Sequence, residues 1–121
     1  MPWPGAAVSL ATWLMKRAEV WWVEFDPAIG SEIRKTRPAV IVSNDIANRH
    51  LARVVVVPLT SNTDRVYPGE AVITLAGDPR KAMADQIMAA DKSRLKSRIE
   101  ALSESDMRAV ESAISMHLAL R

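Results

Sequence analysis

Five side chains able to do acid–base or phosphate chemistry, Ser31, Glu32, Arg34, Lys35 and Arg37, crowd into one short stretch of the chain. It lies between two apolar segments, Trp21-Trp22-Val23-Glu24-Phe25 and Pro38-Ala39-Val40-Ile41-Val42. A hairpin built only for stability does not need that chemistry. A carboxylate among cations offers a proton acceptor or an orienting group, and the cations offer charge to an anionic substrate. Arg37 is the most constrained of the five, because Pro38 biases the residue before it toward an extended backbone. Two readings of Arg37 stand side by side: a salt bridge to Glu24 or Glu32, or a guanidinium whose planar fork grips a phosphate.

A second group of polar side chains follows a buried-looking run, Val54-Val55-Val56-Val57-Pro58-Leu59, and consists of Thr60, Ser61 and Asn62. Hydroxyls at a strand end commonly close turns. Brought next to Arg37, Thr60 and Ser61 would add neutral donors to a charged one around a single phosphate, the set that phosphodiester chemistry requires. Trp21 or Trp22 could stack a base, although an aromatic in a strand more often packs in a core; exposure decides between these. His50 and His117 are far apart in sequence and read as loop and helix-surface residues, with no spacing to carboxylates that suggests a metal site.

The composition narrows the function classes. The chain has 121 residues, enough for one domain, with 49% hydrophobic residues and a net charge of only +2. With no cysteine, thiolate metal sites, disulfides and a cysteine nucleophile are excluded, which fits a reducing cytoplasm. No phosphate-binding loop, dinucleotide fingerprint or nucleophile elbow is present. The alternating cations Lys92, Arg94, Lys96 and Arg98 read as a solvated face. Residues 1–15 read as an N-terminal extension without the features of a signal peptide and too short to span a membrane, with Met15-Lys16-Arg17 as an alternative start; the domain is expected over residues 16–121.

The elements that must position these groups follow from the pattern. Strands are expected over residues 19–25, 39–42, 54–57 (stopped by Pro58), 71–75 and 84–88, with a short last strand at 98–101. Ser43-Asn44-Asp45 reads as the cap of a short helix, and Gly77-Asp78-Pro79-Arg80 as a turn. Ser103 is expected to cap a C-terminal helix with Asp106 as its capping-box partner, and Met107, Val110, Ile114 and Leu118 as its apolar stripe. The fold class is therefore mainly β with α: many short strands around a small barrel, closed by one amphipathic helix.

Several ordered motifs together resemble the MazF/PemK (Kid) family of toxin endoribonucleases. They are Gly30-Ser31-Glu32, Arg37-Pro38-Ala39-Val40, Pro58-Leu59-Thr60-Ser61-Asn62, Val66-Tyr67-Pro68 and Ala84-Asp85-Gln86. The resemblance covers nearly the whole chain and implies the SH3-like barrel of CcdB/PemK-type toxins. It implies sequence-specific, metal-independent cleavage of single-stranded RNA by attack of the 2′-OH, leaving a 2′,3′-cyclic phosphate and a 5′-OH, with no cofactor. On that resemblance Arg37 and Thr60 are the catalytic pair, with Glu32 linked to activity. Ser31, Arg34, Lys35, Ser61, Asn62 and Gln86 are expected as substrate contacts. Because arginine keeps its proton, Glu32 is the candidate for base or for the group that orients Arg37. The implied partners are a second copy of the chain and a MazE-like antitoxin, in the cytoplasm and with no membrane. One departure is Ala18, where the family's Arg-Gly-acid motif has glycine. The alternative reading is a CcdB-like toxin that binds gyrase and cuts no RNA.

Overall fold

The computed structural model describes residues 15–25 and 35–120. Its elements, in chain order, are β1 (Glu19–Phe25), β2 (Lys35–Ile41), α1 (Asp45–His50), β3 (Arg53–Thr60), β4 (Glu70–Leu75) and β5 (Asp78–Met83). A 3₁₀ turn (Ala84–Gln86), β6 (Met88–Asp91), a second 3₁₀ turn (Lys92–Arg94), β7 (Leu95–Ala101) and α2 (Glu104–His117) complete the fold. The strands form one antiparallel sheet in the order β4-β5-β3-β2-β1-β7, with β6 paired to β3 off that path. Among the described residues no ladder joins β4 to β7, so the sheet curls without closing into the full barrel that the sequence suggests.

Strand β1 buries residues on both faces, which explains its nearly continuous apolar sequence. Val20, Val40, Val57 and Leu59 pack with Met107, Val110 and Ala113 of α2 in one core. Trp21, Val23, Ala39, Ile41, Val54, Val56 and Leu95 form a second core on the opposite face, together with Met15. Alternation along paired strands produces this division, since Val20 faces Val40 and Trp21 faces Ala39.

Strand β3 does not stop at Pro58 as expected; it continues to Thr60, with Pro58 buried inside it. The pairing of β3 with β2 covers residues 56–58 and ends at Pro58, while β3 takes up β5 through Leu59 and Thr60. A proline brings no N–H to a ladder and is tolerated where a ladder ends. The expected turn at 77–80 is also displaced. Ala76 and Gly77, with φ of 50° and 84°, make a two-residue hairpin turn, and Leu75 pairs directly with Asp78. Asp78, Pro79 and Arg80 are therefore strand residues. The expected strand at 84–88 is a 3₁₀ turn followed by β6.

The caps follow the sequence in part. Asn44 accepts the N–H of Ala47 at the start of α1, at 2.8 Å. Ser103 Oγ accepts the N–H of Asp106 at 3.2 Å, but the Asp106 carboxylate does not reach back to complete a capping box. It accepts the N–H of Thr74 instead, at 2.9 Å, and so ties α2 to the end of β4. Of the expected helix stripe Met107 and Val110 are buried and Ile114 is partly buried; Ala113 is buried beside them, and Leu118, at the C-cap, is exposed.

Ala18 has φ of +77°, the left-handed region. Its N–H donates to Ile41 at 2.8 Å and its carbonyl accepts from Leu102 at 2.9 Å, so the sheet holds it there from both sides. An alanine in that conformation costs about 1 kcal/mol against glycine. The glycine missing from the motif is thus missing where the backbone calls for one.

Candidate active site

Where the β2–β3 ladder ends at Ala39 and Pro58, the preceding part of β2 and the end of β3 leave a cleft of about 360 Å³. Its walls are Trp22, Thr36, Arg37, Pro38, Leu59, Thr60, Ser61 and Arg80. The register explains why these residues meet. Continued two residues past the last pair, Ala39 and Pro58, it sets Arg37 opposite Thr60. The two polar groups twenty-three positions apart in sequence therefore face one opening because the strands are antiparallel.

Arg37 is half-buried, and among the described residues its side chain has no hydrogen-bond or ion-pair partner. The salt bridge to Glu24 does not form. Val23 pairs with Arg37 and Glu24 pairs with Thr36, which puts Glu24 and Arg37 on opposite faces of the sheet. Thr60 Oγ accepts the N–H of Asn62 at 3.3 Å, which fixes the oxygen and leaves its own O–H for a ligand. Ser61 is exposed beside it. Asn62 turns to accept the N–H of Asp64 at 3.1 Å and does not line the cleft.

Exposure answers the tryptophan question. Trp21 is 6% exposed and donates its indole N–H to Glu19 at 3.1 Å, a core residue with its polar atom satisfied. Trp22 is 41% exposed and stands on the cleft wall, paired with Pro38.

Gln86 stands in the 3₁₀ turn, exposed and directed to the sulfur of Met83 at 3.5 Å, and it does not line the cleft. Ser31, Glu32 and Arg34 lie outside the described residues; Lys35 is placed as the first residue of β2, paired with Phe25. His50 and His117 do not line the cleft.

Two cations that sequence reasoning passed over matter here. Lys81 pairs with Thr60 across the β3–β5 ladder and is buried, held by Glu70 at 3.3 Å and by the carbonyl of Arg65 at 3.0 Å. Glu70 also accepts the N–H of Tyr67 at 2.8 Å, so this ion pair staples the 61–69 loop to the sheet beside the cleft. Arg80, one residue earlier, reaches the cleft itself. It was missed because 77–80 reads as a turn. The signal that would have found it is Ala76-Gly77 as the hairpin turn, which starts β5 at Asp78.

Comparison with known proteins places the chain in a family. The family model for PemK-like, MazF-like toxins of type II toxin–antitoxin systems matches residues 16–118. The chain is 38% identical to the endoribonuclease MazF9 of Mycobacterium tuberculosis over 116 residues, covering 88% of this chain and 98% of that protein. It is 30% identical to the endoribonuclease EndoA of Bacillus subtilis over 112 residues, covering 88% and 97%. Among solved structures, a mycobacterial endoribonuclease in complex with its cognate antitoxin superposes with a TM-score of 0.74 at 25% identity, covering 88% of this chain and 96% of that one. MazF of Deinococcus radiodurans, at 22% identity and a TM-score of 0.73 over 87% and 96% of the two chains, shares the fold. The chain belongs to the PemK-like, MazF-like family of toxins of type II toxin–antitoxin systems.

Proposed function

We propose that this toxin is a sequence-selective endoribonuclease that cleaves single-stranded RNA in the cleft between β2 and β3, without a metal ion. Relatives named endoribonucleases, at 38% and 30% identity over almost their whole length, support the activity. The observation that carries the site is the meeting of Arg37, Thr60 and Ser61 in one cleft, with Arg37 unpaired among the described residues.

The chemistry asks for three things. The 2′-OH must lose its proton as its oxygen bonds to phosphorus, the crowded phosphate must be stabilised, and the 5′ oxygen must leave carrying a proton. Arg37 supplies fixed positive charge to the phosphate as negative charge builds on it, and the Thr60 O–H holds a nonbridging oxygen in place. Glu32 takes the 2′ proton or orients Arg37, and the 5′ oxygen takes a proton from solvent water as its bond to phosphorus breaks. Trp22 stacks an unpaired base over the cleft wall, and the 61–69 loop reads its neighbours. Outside the cell's growth-arrest state, the cleft is covered by an acidic segment of a cognate antitoxin, and the working form is a cytoplasmic homodimer.

The test is cleavage of a long single-stranded RNA in EDTA by purified protein, with the ends mapped. Cuts at a short fixed sequence that leave cyclic phosphate and 5′-OH ends are expected, and they disappear in Arg37→Ala protein that keeps its circular dichroism spectrum and its mass in solution. Intact RNA with wild-type protein, or full activity in Arg37→Ala, overturns the assignment.

A further inference from the structure

We infer that Arg80 forms a second anion subsite in the cleft, which takes the phosphodiester next to the scissile one. The inference deepens the reading of this site as a ribonuclease site. It begins with an electrostatic imbalance. Arg37 and Arg80 line the same cleft of about 360 Å³, and among the described residues no carboxylate pairs with either. Like charges gathered in one partly desolvated opening repel each other, and a bound polyanion relieves that repulsion.

The donors of Arg80 are mostly uncommitted. It is half-buried, and among the described residues its guanidinium makes one hydrogen bond, from Nη1 to the neighbouring carbonyl of Pro79 at 3.0 Å. That bond braces one side of the guanidinium and leaves the remaining N–H groups for a ligand. Its neighbour Lys81 is a built-in contrast: buried and tied to Glu70 and Arg65, it serves the loop and not a ligand. A single phosphate needs only Arg37 with Thr60 and Ser61. A second guanidinium, presented from β5 while the first comes from β2, fits a chain of phosphates with one charge for each of two neighbours. The ligand class is therefore an oligonucleotide with at least two consecutive phosphates, not a mononucleotide.

The experiment uses full-length protein and a non-cleavable oligonucleotide carrying 2′-deoxyribose at the cut site, in three versions. One is unmodified, and the other two carry a neutral methylphosphonate at the phosphate on either side of the scissile one. Arg80→Ala and Arg80→Gln are expected to weaken binding of the unmodified analogue by about tenfold or more, and to flatten the salt dependence by about 0.7 in the log–log slope. With all-RNA substrate the loss falls on KM more than on kcat. One of the two methylphosphonates should weaken wild-type binding to the same degree, an arm that needs no folded variant, and should show no further loss with Arg80→Ala. Wild-type protein that cleaves RNA, yet loses neither affinity nor salt slope on substitution of Arg80 and tolerates both methylphosphonates, overturns the subsite and leaves the ribonuclease reading standing. Arg80-dependent binding of the analogue by protein that cleaves no RNA supports the subsite and removes the ribonuclease reading.

Discussion

Two groups of cations in this protein, one a run in the sequence and the other assembled only by the fold, behave differently. The run Lys92, Arg94, Lys96 and Arg98 is the denser of the two, yet each of its members is engaged. Lys92 is buried against the carbonyl of Asn48, and Arg94 reaches the carbonyl of Glu24 at 3.4 Å. Lys96 donates to the carbonyl of Ser93 at 3.1 Å, and Arg98 pairs with Glu19 at 2.9 Å. These contacts fasten β7 and its preceding turn to the sheet. In the cleft, Arg37 and Arg80 have no carboxylate partner among the described residues. The number of charges does not mark a site; charges that the fold brings together and leaves uncommitted do.

The comparison can be broken at either end. The largest effect is expected in the cleft, where Thr60→Val keeps the shape of the side chain and removes its donor. Its kcat should fall about a hundredfold to a thousandfold, as for loss of one preorganised donor to a developing anion, with Thr60→Ser retaining most of the rate. Single-turnover cleavage of a fluorescent oligonucleotide measures both.

Next comes the cation beside the cleft that belongs to the other class. Lys81→Met leaves the largely covered Glu70 carboxylate without its partner and should cost roughly 2–4 kcal/mol in urea unfolding. Adding Glu70→Gln should recover part of that loss, because the uncompensated charge is gone. A Lys81→Met protein of wild-type stability would move Lys81 from scaffold to site.

In the late run, Arg98→Ala removes an ion pair whose arginine is half exposed and whose buried Glu19 keeps two other donors, the Lys16 N–H and the Trp21 indole, so its stability cost should stay below that of Lys81→Met. Cleavage should continue at the wild-type rate. A large drop in rate would mean that this run also contacts RNA, and would dissolve the distinction between the two clusters.

The smallest effect concerns pH. The Ser93 hydroxyl, followed by the Ser93 N–H, holds the Asp91 carboxyl below its usual range at the turn that opens this run. A carboxylate with a depressed folded-state pKa stabilises the fold above its unfolded value, and that contribution is lost as pH falls through the folded one. Ser93→Ala should therefore be less stable than wild type near neutrality, and the gap should shrink in unfolding curves taken below the usual carboxylate range.

Much of the architecture was legible from local pattern. The strand over residues 19–25, the Asn44 and Ser103 caps and the C-terminal helix follow from periodicity and capping chemistry that act within a few residues. The misreadings cluster where a proline or a turn has two possible meanings. Pro58 reads as a stop but sits at the end of a ladder, where its missing N–H is tolerated. Pro79 and Gly77 read as one turn, but the reversal is made one residue earlier by Ala76-Gly77, and Arg80 moves into a strand as a result.

By itself the sequence determined the chemistry on offer: an arginine held extended before a proline, hydroxyls after a buried strand, no thiol, and an order of motifs that marks the family. Only the tertiary structure decided which of those groups share a cleft. Arg37 meets Thr60 through antiparallel register, Trp22 rather than Trp21 faces the opening through strand alternation, and Arg80 joins them because a two-residue turn sets the start of β5. These are relations between strands distant in sequence, fixed by how the strands pair and not by any local preference.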